Sequence, residues 1–263
     1  MVDANYALIT GASQGLGKYL AVDLAKKKYN ILLVALPNEH LNILVSEIAK
    51  LNVKVEFFET DLTKKENILD FVNWANKYPI EVLVNNAGCG GSEYIKKASF
   101  EYIDNIILLN IRAVSQITNL LIQNLIQQPK SYILNISSMA ALSPIGYKTV
   151  YPASKKFIEY FSLGLQEELK ANNVTVSVVY PGPMKTNPDV SQRIATQSKF
   201  VNAGVIELED MARISLNELF KGKNRIIIGK LNKLSRMILA ILPLKVKIKI
   251  LSKAVKKEID ATK

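Results

Sequence analysis

The chain has 263 residues, of which 49% are hydrophobic and 22% charged, a size and composition that allow a substantial core and argue against disorder. Its one cysteine and one histidine argue against a disulfide framework and a Cys/His zinc site. The net charge of +11 lies entirely in residues 221–263, which hold 13 Lys/Arg and 2 Asp/Glu, while the preceding residues hold 21 of each sign. The body of the protein is therefore neutral and its C-terminal part strongly basic.

Two segments bear on the cellular location. The first residues, Met1 to Tyr6, lack the basic and apolar regions of a secretory signal. The longest apolar run near the C-terminus, Met237 to Leu244, has 8 residues and contains Pro243, whereas a membrane span needs roughly 20. We therefore expect a cytoplasmic protein with no transmembrane helix.

Short apolar runs alternate with longer segments of helical period, which is typical of βαβ units around a parallel sheet. The predicted strands are Tyr6–Thr10, Ile31–Ala35, Lys54–Phe58, Val82–Asn85, Tyr132–Ser137, Thr175–Tyr180 and Arg225–Ile228. The predicted helices are Leu16–Lys28, Glu39–Leu51, Lys64–Lys77, Phe100–Gln128, Tyr151–Asn172 and Leu208–Lys221. Because crossovers are right-handed, helices should cover both faces of one doubly wound sheet of about seven strands, with ligands at the carboxyl ends of the strands. We expect one α/β domain over 1–230 and a basic amphipathic extension over 231–263.

A glycine-rich turn follows the first predicted strand and leads into a helix. It reads Thr10-Gly11-Ala12-Ser13-Gln14-Gly15-Leu16-Gly17. Glycines let the backbone turn tightly and approach a pyrophosphate, and the N–H groups of a helix start favour its negative charge. The alternative is an ordinary strand-to-helix turn, because short glycine motifs also arise without a ligand.

Polar residues follow the third and fourth predicted strands, at the edge where a dinucleotide would lie. They are Thr60-Asp61-Leu62 after the third strand and Asn85-Asn86-Ala87-Gly88 after the fourth. Asp61 could equally cap the helix that begins near Thr63, and the two asparagines could simply satisfy their turn. Each of these residues alone leaves both interpretations open.

The strongest indication of chemistry is the pair Tyr151 and Lys155, which share one helix face because they are four residues apart. A phenol, with an ordinary pKa of about 10, needs a nearby cation to act as an acid or base at neutral pH, and Lys155 is placed to be that cation. Ser138 follows the fifth strand and could hydrogen-bond a substrate carbonyl, with Ser137 as its rival. Alone, Ser138 would be a turn cap and Tyr151 a packed aromatic, but their joint occurrence favours a catalytic site.

Together these motifs resemble those of the short-chain dehydrogenase/reductase family, in the same order, from Tyr6 to Thr186. The matching motifs are Thr-Gly-x-x-x-Gly-x-Gly at Thr10 to Gly17, Asn-Asn-Ala-Gly at Asn85 to Gly88, Ser138 with Tyr-x-x-x-Lys at Tyr151 to Lys155, and Pro181-Gly182. The resemblance implies a Rossmann-type fold, a nicotinamide cofactor and a homo-oligomer, either a dimer or a tetramer.

The resemblance also implies roles for individual residues. Tyr151 would be the general acid in reduction or base in oxidation, Ser138 would orient the carbonyl, and Lys155 would hold the nicotinamide ribose and lower the pKa of the phenol. Asn110 matches the family's asparagine that holds a water for proton relay. Asp61 would contact adenine, while Thr186 and the backbone near Met184 would hold the carboxamide. The full implied cofactor set is Gly11, Ser13, Gln14, Gly15, Leu16, Gly17, Leu36, Asp61, Leu62, Asn85, Ala87, Gly88, Tyr151, Lys155, Pro181, Gly182, Met184 and Thr186.

The choice between NAD and NADP rests on the end of the second strand. This region, Val34 to Asn38, has no Asp to bind the 2′-hydroxyl of NAD. Leu36 stands where NADP-dependent members often carry Arg, and Gln14 stands where they carry a basic residue. We favour NADP(H) over NAD(H), because no acidic group would repel a 2′-phosphate. We interpret Cys89 as a packing residue rather than a cofactor contact, and His40 as a surface residue.

We predict hydride transfer between NADP(H) and a carbonyl or secondary alcohol, and no nucleic-acid partner. The alternative is a nucleotide-binding sensor or scaffold without turnover, because a fold alone does not establish function. Residues Asn187 to Ile206 are expected to form the substrate lid. The apolar, basic C-terminal extension resembles that of family members acting on acyl chains, which favours a 3-oxoacyl substrate first and a steroid or other lipid ketone second.

Residues 231–257 predict a basic amphipathic element that contacts an anionic surface, either membrane lipid or an acidic acyl carrier protein. Its apolar residues are Met237, Ile238, Ile241, Leu242, Val246 and Ile250, and its basic residues are Lys233, Arg236, Lys245, Lys247, Lys249, Lys253, Lys256 and Lys257. The alternative is a helix packed on the body or at a subunit interface, with solvated lysines. Pro243 should interrupt the helix, and the alternation from Lys245 to Ile250 could form a short strand.

Overall fold

The computed structural model describes residues 5–39, 41–184 and 204–261. Seven parallel strands form one sheet: β1 (Tyr6–Thr10), β2 (Asn30–Ala35), β3 (Val55–Glu59), β4 (Ile80–Asn85), β5 (Ser131–Ile136), β6 (Val174–Val179) and β7 (Arg225–Ile226). Their order is β3-β2-β1-β4-β5-β6-β7, so the direction of winding reverses between β1 and β4. This confirms the predicted doubly wound, Rossmann-type α/β fold.

Helices connect the strands and cover the sheet. They are α1 (Gly15–Lys26), α2 (Leu41–Ala49), α3 (Lys65–Ala75), α4 (Phe100–Ile107), α5 (Val114–Ile126), α6 (Val150–Glu168), α7 (Leu208–Phe220), α8 (Lys230–Ile241) and α9 (Leu244–Ala261). A π-helical stretch, Leu108–Ala113, joins α4 to α5, and a 3-10 turn, Met139–Leu142, follows β5. The single helix predicted over 100–128 is therefore interrupted in its middle.

The inner strands consist mainly of apolar residues because helices cover both of their faces. All residues of β1 and β2 are buried, whereas the edge strand β3 is partly exposed. One core cluster includes Leu24 of α1 and Leu216 of α7, and a second includes Phe71 of α3 and Leu121 of α5. Two layers of helices thus enclose the sheet.

The residues from Phe100 to Ile126 form the one stretch among the described residues that is long and apolar enough to cross a bilayer, by length and composition alone. From the sequence we expected a helix over 100–128 and no transmembrane helix. Within it, Ile117, Leu121 and Leu125 are buried in a core cluster together with Leu83 of β4 and Ile133 of β5. In this structure the stretch is a crossover helix packed in the core.

Strand register brings the predicted site segments to one edge of the sheet. Ile9 pairs with Val84, and Asn85 pairs with Asn135, so β1, β4 and β5 end close together. The glycine turn after β1 and the polar segments after β4 and β5 therefore meet at the point where strand order reverses. Such a point is where open α/β sheets bind ligands.

The C-terminal extension folds as two helices packed on the body. The break at Pro243 is confirmed, because α8 ends at Ile241 and α9 begins at Leu244. The alternative strand over 245–250 is wrong, because residues Leu244–Ala261 form one helix, whose buried Ile259 faces the body. The seventh strand is also shorter than predicted, since it ends at Ile226, before the left-handed Gly229 at φ 91°.

Candidate active site

The turn after β1 depends on glycine at three positions. Gly11 and Gly15 have φ of 64° and 56°, in the left-handed region that favours glycine. A Cβ on Gly17 would lie 2.1 Å from the carbonyl oxygen of Gly11. The side-chain amide of Asn86 donates to the carbonyls of Thr10 and Gly11 at 3.0 and 2.9 Å, so the end of β4 holds the turn in place.

The start of α1 fits an anionic group such as a pyrophosphate. Helix α1 begins at Gly15, and the preceding Gln14 provides no side-chain cap for its first N–H groups. Uncapped N–H groups at a helix start bind anions, helped by the helix dipole. The missing side chains at Gly11 and Gly17 let the turn pack against the loop after β4 and against itself, which holds the start of α1 at the end of β1. The chemistry of this turn therefore fits a dinucleotide phosphate.

Tyr151 lies near the start of α6, half-buried, with its ring against the loop after β4. A Cβ on Gly90 would lie 2.6 Å from the ring carbons of Tyr151, so glycine at this position makes room for the phenol. The Ser138 hydroxyl accepts a hydrogen bond from the Ala140 N–H at 3.1 Å and itself hydrogen-bonds the Tyr151 phenol. Burial raises the pKa of Tyr151, and the hydrogen bond from Ser138 opposes that rise.

The neighbouring Ser137 is not placed for the same role. Its hydroxyl donates to the carbonyl of Lys155 at 2.7 Å, in a buried position. This bond joins the end of β5 to α6 and leaves Ser138 as the serine that faces the phenol. Of the two serines considered from the sequence, the structure brings Ser138 to Tyr151.

Lys155 is 6% exposed, and its ammonium donates to the carbonyl of Ile136 at 2.9 Å. Burial lowers the pKa of Lys155 to about 8, because the low-dielectric surroundings disfavour its charged form. Its Nζ lies 5.9 Å from the centre of the Tyr151 ring. The expected lowering of the phenol's pKa by Lys155 differs from the structure, where burial dominates and the pKa of Tyr151 is raised.

Asn110 lies fully buried in the π-helical stretch, and its side chain is engaged at both ends. Its amide donates to the carbonyl of Cys89 at 2.8 Å and to the Ser154 hydroxyl at 3.0 Å, while its oxygen accepts from the Cys89 N–H at 2.9 Å. A Cβ on Gly88 would lie 3.0 Å from the Asn110 oxygen and 3.2 Å from the Lys155 Nζ. Asn110 thus fixes the loop beside Lys155, and π-helical turns are common at functional sites.

Several predicted cofactor residues lie in the core rather than at the rim. Asn85 is 3% exposed, and its amide donates to Thr118 and Asn135 at 3.0 and 2.8 Å, so this side chain links β4 to α5 and β5. Its predicted place at the rim is corrected accordingly, because a buried amide is bonded to other buried groups. Leu16 and Leu62 are likewise buried and pack in the core clusters.

The remaining predicted residues lie around the rim. Asp61 accepts hydrogen bonds from the Thr63 N–H and hydroxyl at 2.9 and 2.7 Å, which matches the alternative of a local cap. Leu36 is 48% exposed after β2, and Pro181 is buried after β6. Three further predicted residues, Ala87, Gly182 and Met184, are partly exposed near these strand ends. Thr186, His40 and all of the expected lid except residues 204–206 lie outside the described residues.

A family model for short chain dehydrogenases matches residues 5–197. The chain belongs to the short-chain dehydrogenase family. This membership confirms the family that the motifs predicted.

Curated relatives of this short-chain dehydrogenase cover it to different extents. The very-long-chain 3-oxoacyl-CoA reductase of Anas platyrhynchos is 35% identical over 182 residues, which are 67% of this chain and 58% of the relative. The 17-beta-hydroxysteroid dehydrogenase type 3 of Homo sapiens is 32% identical over 218 residues, which are 81% of this chain and 67% of the relative. The match to the first relative thus spans little more than half of its length.

A solved structure shares the fold of this short-chain dehydrogenase over most of both chains. The short-chain dehydrogenase from Sphingobium yanoikuyae in complex with NADPH has a TM-score of 0.77 and 24% identity, covering 91% of this chain and 96% of that one. At this level of identity the comparison establishes the shared fold. It agrees with the strand order described above.

The structure adds site residues that the sequence analysis missed. The carboxylate of Glu39 accepts a hydrogen bond from the Ser13 hydroxyl, so an acidic group does reach the glycine turn. This corrects the argument for NADP(H), which considered only Val34 to Asn38. The signal was present, because an acidic residue shortly after the second strand is a known ribose ligand in such folds. Gly90 and Ser154, by contrast, carried no signal, since their roles depend on the ring of Tyr151 and the amide of Asn110.

Proposed function

We propose that this chain transfers a hydride between NADP(H) and a carbonyl or secondary alcohol, with Tyr151 as the acid–base group. The observation that carries the proposal is the meeting of the Ser138 hydroxyl and the Tyr151 phenol at the end of β5, beside the buried Lys155 ammonium. All three lie at the sheet edge where the glycine turn fits a dinucleotide. The family membership supports an oxidoreductase.

Each residue has a distinct part in the proposed reaction. A bound nicotinamide would supply the hydride for the carbonyl carbon in reduction. The Tyr151 phenol donates its proton to the carbonyl oxygen, and in oxidation the phenolate takes the proton back. Ser138 donates a hydrogen bond to the same oxygen and so orients the carbonyl against the phenol. Lys155 keeps a positive charge beside the phenol, which favours the phenolate when the proton leaves.

Asn110 acts mainly as a positioning residue in this proposal. Both polar atoms of its side chain are already bonded to Cys89 and Ser154. Ser154 in turn donates to the carbonyl of Tyr151 at 2.8 Å, so Asn110 is connected to the helix turn that carries the phenol. The proton-relay water that the family resemblance implies would therefore be held by other atoms than this side-chain amide.

The dinucleotide would be held by the glycine turn and the rim after β2, β4 and β6. The Sphingobium yanoikuyae enzyme that shares the fold is in complex with NADPH, which supports the choice of NADP(H). Glu39 opposes that choice, because its carboxylate beside Ser13 would repel a 2′-phosphate. We therefore expect Glu39 to weaken the proposed preference for NADP(H).

Two substitutions test the choice between NADP(H) and NAD(H). One removes a negative charge near the glycine turn, and the other adds one. Glu39→Gln is expected to raise the affinity for NADPH relative to NADH, and Leu36→Asp to lower it, each by about tenfold, since nearby unit charges interact by a few kcal/mol before screening. Titration of both nucleotides by fluorescence measures the ratio. Glu168→Gln, at an exposed position at the end of α6, is the control of equal charge. An unchanged ratio in both variants would show that the 2′-group of the nucleotide does not lie near Glu39 or Leu36.

The proposed substrate is a lipid-like ketone, with a 3-oxoacyl group first and a steroid ketone second. Two relatives support this class, one a very-long-chain 3-oxoacyl-CoA reductase and the other a 17-beta-hydroxysteroid dehydrogenase. The basic, apolar extension supports it as well, because such surfaces contact anionic lipid or carrier proteins. We place the protein in the cytoplasm, peripheral to such a surface, and propose a homo-oligomer.

A substrate screen tests the proposed function directly. We expect purified protein to oxidise NADPH with 3-oxoacyl thioesters faster than with steroid ketones, and faster with both than with short polar ketones. The loss of NADPH absorbance measures the rate, with the Tyr151→Phe variant as the control for nonspecific oxidation. Nucleotide binding without turnover on any carbonyl or alcohol would favour the sensor interpretation over catalysis.

A further inference from the structure

An exposed apolar surface surrounds the bend between α8 and α9. We call it the elbow ridge, and it comprises Leu234, Met237, Ile238, Ile241, Leu244, Val246 and Ile250. Its four residues in α8 follow the helical spacing of one face. Ile241 is 83% exposed and Met237 is 62% exposed. Large apolar side chains grouped in this way mark a surface that interacts with another molecule.

Basic residues surround the elbow ridge. Residues 230–257 contain nine Lys/Arg and no Asp or Glu. The exposed members are Lys230, Lys233, Arg236, Lys245, Lys249, Lys253, Lys256 and Lys257. An apolar face bordered by lysine and arginine is typical of helices that lie in the plane of an anionic membrane.

The other side of the two helices is fixed to the body. The Ser252 hydroxyl accepts a hydrogen bond from the Gly146 N–H at 2.7 Å, and Ile259 is buried. In α8, the buried Asn232 donates to the carbonyl of Ile228 at 2.8 Å and packs against Gly182. The packed alternative from the sequence analysis therefore describes one side of the extension, and the elbow ridge lies on the side that the body leaves exposed.

We propose that the elbow ridge docks on an anionic lipid bilayer. Charge complementarity favours this occupant over a second copy of the chain, because a two-fold contact would bring the same basic surfaces together. A bilayer also accommodates the most exposed side chains, Met237 and Ile241, by inserting them among acyl chains while the lysines stay at the headgroups. An acidic partner protein would complement only the positive charge around the elbow ridge.

Docking would bring the candidate active site close to the membrane, because α9 joins the elbow to loops of the site. Beyond the elbow, α9 crosses the loops on either side of Tyr151. The Asp260 carboxylate accepts from the Tyr94 hydroxyl at 3.3 Å, and the ring of Tyr94 lies 4.9 Å from that of Tyr147. Docking would then hold the candidate site close to the bilayer in which a lipid ketone dissolves. This step rests on the proposed function, whereas docking itself does not.

Co-sedimentation of the unmodified 263-residue protein with vesicles tests the docking. We expect binding to vesicles of phosphatidylcholine with added phosphatidylserine, little binding to phosphatidylcholine alone, and loss of binding as salt rises from about 0.1 M to about 0.5 M. Met237→Glu with Ile241→Glu should lower the partition coefficient by about tenfold or more, because charged side chains resist insertion among acyl chains. Lys249→Gln with Lys253→Gln and Lys257→Gln should lower it by about tenfold or more as well, because each lysine near an anionic surface adds to the attraction.

Matched variants on the body serve as controls. Ile43→Glu with Leu69→Glu changes two exposed apolar residues, and Lys50→Gln with Lys64→Gln and Lys77→Gln removes the same charge from exposed positions. Both should bind vesicles like the unmodified protein, and thermal unfolding should show that every variant is folded. The assay contains no nucleotide or carbonyl, so its result is independent of the proposed function.

Three results would overturn the docking proposal. Equal partitioning of the elbow and body variants would show that the elbow ridge is not the contact. Dissociation of an oligomer by the elbow variants, measured by light scattering, would assign the elbow ridge to a second copy. Binding to an acidic carrier protein but not to anionic vesicles would assign it to a protein partner.

Discussion

Replacing Tyr151 with phenylalanine is expected to lower kcat by about a hundredfold to ten-thousandfold, because general acid–base groups contribute on this scale. The substitution removes the phenolic oxygen and leaves the ring that packs against Gly90. Nucleotide affinity should change little, since the phenol is proposed to move a proton rather than to hold the dinucleotide. Steady-state kinetics on a substrate from the screen, together with nucleotide titration, measure both quantities.

Tyr160→Phe is the matched control for this prediction. Tyr160 lies on the same helix, and its side chain is 65% exposed. Removing its hydroxyl should leave both kcat and nucleotide affinity unchanged. If Tyr151→Phe kept a kcat near that of the unmodified protein, Tyr151 would not be the acid–base group.

Most of the fold could be predicted from the sequence because the inner strands are continuous apolar runs. The run from Ile31 to Ala35 is buried along its whole length, and its period fits a strand covered on both faces. The predicted ends of the helices were less accurate where one type of helix changes to another within a single segment. The π-helical stretch at Leu108–Ala113 could not be recognised, because it has no glycine or proline to mark a change in the helix.

The candidate site could be predicted where function depends on sequence spacing, as for Tyr151 and Lys155. It could not be predicted where side chains meet across the fold. Glu39 and Ser13 are 26 residues apart, and only the pairing of β1 with β2 brings them together. Asn85 shows the opposite case, because it belongs to a motif yet its side chain bonds within the core.

The electrostatics of the site depend on burial, which a motif does not report. From spacing alone, Lys155 was expected to lower the pKa of the phenol. The structure buries Lys155 and half-buries Tyr151, so desolvation raises the pKa of Tyr151 and lowers that of Lys155 to about 8. Both residues of the motif are present, but the phenolate of Tyr151 and the ammonium of Lys155 form less readily here than in water.

Lys155→Met is expected to lower both turnover and nucleotide affinity, in contrast to Tyr151→Phe. The substitution keeps an unbranched side chain in the buried position but removes the ammonium that donates to Ile136 and faces the phenol. Nucleotide affinity should fall by about tenfold or more. The ammonium is expected to hold the nicotinamide ribose, and hydrogen bonds from charged groups contribute about 1.5–3 kcal/mol. Lys170→Met, at a side chain 73% exposed, is the control and should leave both quantities unchanged.

The same variant has a second readout in the pH dependence of stability. The pKa of Lys155 is about 8 in the folded protein and about 10.4 when unfolded, so between these values the unfolded state binds more protons. The free energy of unfolding should therefore rise with pH in this window, by roughly 2 kcal/mol between about pH 7 and pH 9.5 relative to Lys155→Met. Urea unfolding of both proteins across this range measures the difference. Parallel pH profiles would show that Lys155 carries its ordinary pKa in the folded protein, and the ammonium would then be solvated rather than buried beside the phenol.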